Sequence, residues 1–94
     1  MINDYELGLI YKSTLPDEEI AKEKVDLEGF LKEEKGVVGK YEEWGRKRMT
    51  YSIKKEANGY YLFLGFQCEP ATIKKLDHKL KLNKNILRFL ITLS

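Results

Sequence analysis

The sequence predicts an α+β fold with the element order βαββαβ, which is the ferredoxin-like arrangement. Three observations support it: four segments with strand-like apolar patterns, two segments with helix-like spacing that each begin beside a proline, and a length of 94 residues. That length suits one domain, residues 1–94, with a single core. With right-handed crossovers, both helices lie on one face of a four-stranded antiparallel sheet, the other face stays open, and strands two and four form the edges.

The first strand is predicted by an alternation near the start of the chain. Successive strand residues point to opposite faces, and the apolar residues here fall mainly on one parity: Tyr5, Leu7, Leu9 and Tyr11. This pattern is typical of a strand that buries one face against a core.

A helix follows, and its ends are marked more clearly than its apolar face. Pro16 precedes three acidic residues, and helix starts favour both a proline and acids. Gly36, which follows the cation Lys35, is expected to end the helix as a C-terminal glycine. The face toward the sheet is predicted from four apolar residues, among which Lys24 interrupts the stripe: Ile20, Leu27, Phe30 and Leu31.

The second strand, residues 37–53, is predicted to contain a bulge at Gly45. Before the glycine the apolar residues, Trp44 included, share one parity, and after it they take the other. One extra residue produces such a change of register, and glycine accommodates it at least cost. The bulge is expected to aim Arg46 and Arg48 at solvent and to turn three side chains inward: Met49, Tyr51 and Ile53.

Residues 54–59 are predicted to reverse the chain, with Asn58-Gly59 supplying the positive-φ residues that hairpin turns favour. The third strand, from Tyr60 to Cys68, is apolar on both parities, which indicates a central position in the sheet. Its aromatic residues match the base-reading pattern of an RNA-recognition motif poorly, because Asn58 replaces a cation and Tyr61 a small residue. These aromatic residues are therefore predicted to be core with some packing on the open face.

A second helix and a last strand complete the predicted fold. Pro70 opens the helix, and its inner face is predicted to carry Ile73, Leu76 and Leu80. The single histidine, His78, falls on the outer side among lysines, where a solvated surface residue is favoured over a catalytic one. The last strand is predicted to span Ile86 to Leu93.

Composition argues against several classes of protein. Charged residues form 34% of the chain but the net charge is only +2, so any binding of nucleic acid depends on a local patch. One histidine and one buried cysteine, Cys68, cannot assemble the usual metal sites, and no nucleotide-binding loop is visible. We therefore expect no enzyme activity, no metal, no cofactor and no small-molecule substrate. Without an apolar run near a membrane span or a signal peptide, we expect a cytoplasmic protein.

Two groups of basic residues remain as candidates for binding phosphate: Arg46, Lys47 and Arg48 in the second strand, and Lys81, Lys84 and Arg88 around the loop before the last strand. Charge on an edge strand also discourages aggregation, and that role is sufficient for Lys47 taken alone. For two guanidinium groups beside a bulge, contacts with phosphates are favoured.

Four stretches carry a resemblance to a known family: Tyr5-Glu6, the run from Glu43 to Ile53, Asn58-Gly59-Tyr60-Tyr61 and Asn85-Ile86-Leu87-Arg88. Together they resemble the family of the bacterial small-subunit ribosomal protein numbered six. The most specific stretch is the Trp-Gly pair followed by three basic residues, a hydrophobic residue and Thr50-Tyr51. The order and spacing of the elements agree over nearly the whole chain.

The resemblance implies a structural protein in the platform of the small ribosomal subunit. It also implies a heterodimer with the small-subunit ribosomal protein numbered eighteen, the pair docking on the central domain of 16S rRNA. RNA contact is implied for the basic positions that match the family pattern and for those in its basic loop: Arg46, Lys47, Arg48, Arg88, Lys81 and Lys84. Partner contact is expected on the open sheet face and an edge strand, with Trp44 and Tyr51 as candidates.

The sequence departs from the family pattern in three places. Ser52 stands where a proline is frequent, so a less rigid strand end is expected, and Ile2-Asn3 stands where basic residues usually follow the initiator methionine, so no N-terminal RNA contact is expected. Many members carry a C-terminal tail beyond the position of Ser94, so partner binding is expected to depend more on the sheet. The alternative function is a non-ribosomal protein–protein or ligand-binding regulatory module with the same fold, which would self-associate through the open face and purify without RNA.

Overall fold

Strands and helices follow one another in the predicted order in the computed structural model, which describes residues 1–94. The elements are β1 (Asn3–Lys12), α1 (Asp17–Glu33), β2 (Val37–Ile53), β3 (Glu56–Cys68), α2 (Pro70–Leu82) and β4 (Ile86–Leu93). The strands form one antiparallel sheet in the order β2-β3-β1-β4. The ferredoxin-like α+β fold is thus confirmed, with β2 and β4 at the edges and β3 in the interior of the sheet.

The core lies between one face of the sheet, called here the helix face, and the two helices. The alternation in β1 is confirmed, because its odd-numbered residues from Tyr5 to Tyr11 are buried there. They pack with buried residues of both helices and of β3 and β4: Ile20, Leu27, Leu31, Leu62, Leu64, Phe66, Leu76, Leu80 and Ile86. The even-numbered residues of β1 point to the opposite side, called here the open face.

The end of α1 differs in one detail from the prediction. Lys35, and not Gly36, takes the left-handed conformation, with φ of 63°. The N–H of Gly36 donates to the carbonyl oxygen of Leu31 over 2.7 Å, which closes the last turn of the helix. Gly36 is needed for space instead, because a Cβ there would lie 2.9 Å from the carbonyl oxygen of Gln67.

The turn of the β2–β3 hairpin was predicted at the wrong residues. Lys54 and Lys55 take positive φ values of 52° and 66°, and they form a two-residue turn between the paired residues Ile53 and Glu56. Asn58-Gly59 lies inside β3. Glycine is used there for close packing, because a Cβ on Gly59 would collide with a methyl group of Ile10.

The bulge in β2 is confirmed at Gly45, whose φ is 76° and where the pairing with β3 shifts register. Met49 is buried as predicted, but it packs on the open face, where its sulfur lies 3.5 Å from the position that a Cβ would take on Gly59, and not in the core under the helices. The same prediction was wrong for Tyr51, which is 81% exposed. A second irregularity in the pairing, between Arg48 and Ile53, interrupts the alternation on which that prediction depended.

Candidate nucleic-acid interface

The basic triplet of β2 is divided between the two faces of the sheet. Arg46 pairs with Tyr60, in register with the helix face, whereas Lys47 pairs with Gly59, in register with the open face. Neighbouring strand residues point in opposite directions, so adjacent cations reach different surroundings. The three side chains therefore do not form a single cluster.

Arg46 is engaged by its own chain. Its guanidinium donates to the carboxylate of Asp17 over 2.8 Å and to the carbonyl oxygens of Ser13 and Leu15 over 3.0 and 2.6 Å. It also lies 5.4 Å from the centre of the Tyr60 ring. The expectation of a free, outward guanidinium is corrected, because its strand parity places Arg46 beside the first turn of α1. Arg46 fastens the β1–α1 loop to β2.

Lys47 and Arg48 are exposed, and neither forms an ion pair within the chain. The ammonium group of Lys47 lies 5.1 Å from the centre of the Trp44 ring, within the range of a cation–π contact. Arg48 pairs with Asn58, one step closer to the hairpin turn. These two side chains present positive charge that the chain itself leaves unneutralised.

The second basic group surrounds the α2–β4 loop, and it also contains both ion-paired and unpaired cations. Lys81 binds Asp77 over 2.9 Å, one helical turn away. Lys84 and Arg88 are exposed and unpaired. Arg88 pairs with Ile10 of β1, which places it on the open face. Two of the three predicted cations are therefore available to a ligand.

The α2–β4 loop is held in place by one carboxylate of α1. Asn83 and Asn85 each donate a side-chain N–H to Glu23, over 2.5 and 3.1 Å. Lys84 lies between these two residues, so its backbone is fixed on both sides. No local sequence pattern signals this anchor, because its partners are about sixty positions apart along the chain.

An aromatic patch occupies the open face between the two basic groups. Trp44 is 52% exposed and contacts Tyr61 and Phe63, with ring centres 6.4 and 4.6 Å apart. Beside it is a shallow depression of about 520 Å³ whose lining includes Ile10 and Leu90 as well as charged residues of both signs. Exposed aromatic rings next to mixed charges suit a protein partner better than a small polar metabolite.

The two residues predicted to contact the partner are not brought together. Trp44 belongs to the aromatic patch, whereas Tyr51 lies near the hairpin turn. Seven residues of extended strand separate their backbones by roughly 20 Å. A single small contact site that includes both side chains is therefore excluded.

A second network fastens β2 to α1 on the helix face. Lys24, which interrupts the apolar stripe of α1, binds the Glu43 carboxylate over 2.6 Å, and the Tyr60 hydroxyl donates to the same carboxylate over 2.9 Å. The hydrogen bond from Lys24, followed by that from Tyr60, holds the pKa of Glu43 below its ordinary value of 4.5. Burial, together with this bond to Glu43, raises the pKa of Tyr60.

The remaining candidates for chemistry lie apart from one another. Cys68 is buried as predicted, and burial raises the pKa of its thiol. His78 is exposed on α2. No group of three His, Cys, Asp or Glu side chains is arranged to hold a metal ion, and neither helix has the length and apolar character needed to cross a membrane.

Comparisons with known proteins identify a family that this chain matches. A family model described as "Ribosomal protein S6" matches residues 4–92. A small ribosomal subunit protein bS6 from Saccharopolyspora erythraea is 37% identical over 84 residues, which cover 89% of this chain and 71% of the relative. A bS6 protein from Mycolicibacterium paratuberculosis is 36% identical, covering 89% of this chain and 88% of the relative.

The fold also matches a solved structure. The crystal structure of 30S ribosomal protein S6 from Thermotoga maritima superposes with a TM-score of 0.93 and covers 100% of this chain and 89% of that one. The sequence identity is 24%, so this likeness concerns the fold alone.

Proposed function

The chain belongs to the ribosomal protein S6 family, whose members are structural proteins of the small ribosomal subunit, and we propose that it binds the central domain of 16S rRNA as a heterodimer. The proposed partner is the small-subunit ribosomal protein numbered eighteen. The pair would sit in the platform of the subunit, on ribosomes of the cytoplasm. The proposed role is structural, without an enzymatic step.

The observation that carries the RNA part of the proposal is a set of exposed cations without carboxylate partners: Lys47, Arg48, Lys84 and Arg88. A charge that is already paired gains little from a phosphate, whereas an unpaired one gains the whole interaction and releases a counterion from the RNA. Rigid strands and an anchored loop carry these side chains, so little backbone conformational entropy is lost on binding. They position the protein on the RNA backbone and read no sequence.

Arg46 and Lys81 also belong to the proposed RNA-binding set, but in a different way. Each binds a carboxylate of this chain, Asp17 or Asp77. For either cation to contact RNA, a phosphate must replace that carboxylate, and the exchange reduces the net gain. We expect both to contribute less to affinity than the unpaired cations.

The partner part of the proposal rests on the aromatic patch. Trp44 leaves half of a large ring in water, and burying aromatic surface is a major source of binding energy at protein interfaces. The patch and the depression beside it lie on the open face, next to Arg88 and Lys47. Tyr51, near the hairpin turn, would contact the partner only if the partner also extends along the β2 edge.

The mechanism that follows is cooperative binding. With a net charge of +2, the isolated chain neutralises few phosphates, so we expect weak RNA binding alone. A partner seated on the aromatic patch adds its own phosphate contacts, and linking the two sets raises affinity by effective concentration. Each protein then increases the affinity of the other for the RNA.

The test is a filter-binding titration of a 16S central-domain transcript with the chain, the partner, and both together. We expect affinity for the pair at least tenfold above either protein alone. A triple variant, Lys47→Gln with Arg48→Gln and Arg88→Gln, should weaken binding by the pair and flatten its salt dependence. A control triple on the helices removes the same charge: Lys22→Gln, Lys32→Gln and Lys74→Gln. Equal effects of the two triples, or self-association without RNA binding, would refute the proposal.

A further inference from the structure

Lys12, at the end of β1, stands between the two basic groups that the sequence separates. Both β1 and β2 pair with β3, and Gly59 of β3 lies opposite Lys12 on one side and Lys47 on the other. Residues directly opposite one another in an antiparallel ladder point to the same face. Lys12 therefore shares the open face with Lys47, with a single glycine between them.

The sheet surface between these two lysines is apolar. A Cβ on Gly59 would meet a methyl group of Ile10 and would lie 3.5 Å from the sulfur of Met49. The side chain of Ile10 covers Gly59, so the surface between the two lysines carries apolar atoms and no charge at that position. A nucleic-acid backbone crossing it meets an ammonium group at each side.

The same row continues from Lys12 to the α2–β4 loop. The backbone N–H of Lys12 donates to the carbonyl oxygen of Asn85 over 2.9 Å, which brings the neighbouring Lys84 to the end of β1. Glu23 holds Asn85 from the other side over 3.1 Å. The loop is thus fixed against β1, and Lys84 extends the line of positive charge.

We propose that Lys12 binds a backbone phosphate of the RNA and joins Lys47 and Lys84 into one phosphate-binding row across the sheet. This inference rests on the proposed function, because it requires RNA at this end of the open face. None of the three lysines forms an ion pair within the chain. Two strand spacings place Lys12 and Lys47 roughly 10 Å apart at Cα, so each ammonium group has room for a phosphate of its own.

The experiment measures how salt changes the affinity of the full-length chain, bound to its partner, for the 16S central-domain transcript. Between about 50 and 200 mM KCl, Lys12→Gln should lower the slope of log Kd against log salt by roughly 0.7 to 0.9. At intermediate salt it should weaken binding about two- to fivefold. Lys74→Gln, an exposed and unpaired lysine on α2, is the matched control and should leave both quantities unchanged. Thermal melting checks that both variants fold.

Two results would overturn the inference. One is a slope for Lys12→Gln equal to that of Lys74→Gln. The other is weaker binding to the partner protein in the absence of RNA, which would assign Lys12 to the protein interface. Failure of the proposed function looks different, because the unsubstituted pair would then show no salt-dependent affinity for the transcript.

Discussion

The helix face and the open face of the sheet carry the same kinds of side chain, which differ in whether they are ion-paired and whether they are buried. On the helix side, Lys24 and Arg46 each bind a carboxylate of the chain over less than 3 Å. On the open face, Lys47 and Arg88 have no such partner. The apolar residues differ likewise, because Leu64 is buried while the exposed Trp44 ring covers only part of Phe63.

The contrast shows that residue type alone does not set the role of a cation. Arg46 and Lys47 are neighbours in sequence, yet strand alternation sends one to an internal carboxylate and the other to solvent. The helix face pairs Lys24 and Arg46 with carboxylates and closes the core, whereas the open face leaves charge and aromatic surface for other molecules. Substitutions on the helix face should therefore lower the stability of the fold, whereas substitutions on the open face should weaken binding.

The largest effect is expected from Leu64 and Phe63, adjacent residues of β3 on opposite faces. Leu64→Ala should lower the free energy of unfolding by about 2–5 kcal/mol, because it leaves a cavity in the core. Phe63→Ala should cost about 1 kcal/mol but weaken partner binding more than tenfold, because it removes support for Trp44. Urea denaturation and titration with the partner measure the two effects. Similar losses of stability for both variants would contradict the difference between the faces.

The next effect concerns the bulge at Gly45, which determines on which face of the sheet each cation of β2 lies. Gly45→Ala should cost about 1–2 kcal/mol, because alanine is strained at a φ of 76°. Its Cβ would meet no atom within 4 Å, so the cost is one of backbone conformation. Gly29→Ala in α1 also meets open space and should stabilise the protein by about 0.5–1 kcal/mol. Opposite shifts of the melting temperature, with the larger one for Gly45→Ala, are the expected result, and a neutral Gly45→Ala would argue against the bulge.

A smaller effect is the difference between two neighbouring cations in their contribution to the free energy of unfolding. Arg46→Gln should lower the free energy of unfolding by about 1 kcal/mol, because the β1–α1 loop loses its link to β2. Lys47→Gln removes the same charge from the open face and should change stability by less than about 0.5 kcal/mol. Chemical denaturation of both variants at one salt concentration gives the comparison. A larger loss of stability for Lys47→Gln than for Arg46→Gln would contradict this prediction.

The smallest effect is a pH dependence on the helix face. Because the folded-state pKa of Glu43 is depressed below 4.5, its contribution is fully present above that pH and is lost as pH falls through the folded-state value. Glu43→Gln should therefore be slightly less stable than the unsubstituted chain near pH 7, by about 0.5 kcal/mol or less for so exposed a pair. The difference should shrink below pH 4.5. A difference that grew in acid would have the wrong sign.

Sequence patterns were sufficient for the fold because local signals agreed with one another. The alternation in β1, the prolines beside both helices and the glycine in β2 each predicted an element that the structure contains. The hairpin turn was placed wrongly because Asn-Gly is favourable in turns, while tertiary packing against Ile10 uses Gly59 in a strand. Lys54 and Lys55 accept positive φ without a sequence signal.

The candidate site was less predictable, and for a physical reason. Whether a cation is free depends on what lies across the fold: Asp17 is 29 positions from Arg46, and no local pattern relates them. Exposure of Tyr51 depends on a second irregularity in pairing that its neighbours do not signal. Lys12 has no basic neighbour in the chain, and only the ladder through Gly59 places it beside Lys47.

The most direct test of the account is the salt dependence of RNA binding by the heterodimer for two single variants, Lys47→Gln and Arg46→Gln. If cations of the open face bind RNA and those of the helix face stabilise the fold, Lys47→Gln lowers the slope of log Kd against log salt by the contribution of about one phosphate contact. Arg46→Gln then changes that slope much less, because Asp17 already balances its charge. The reverse order, with Arg46 carrying the salt dependence and Lys47 none, would contradict the account.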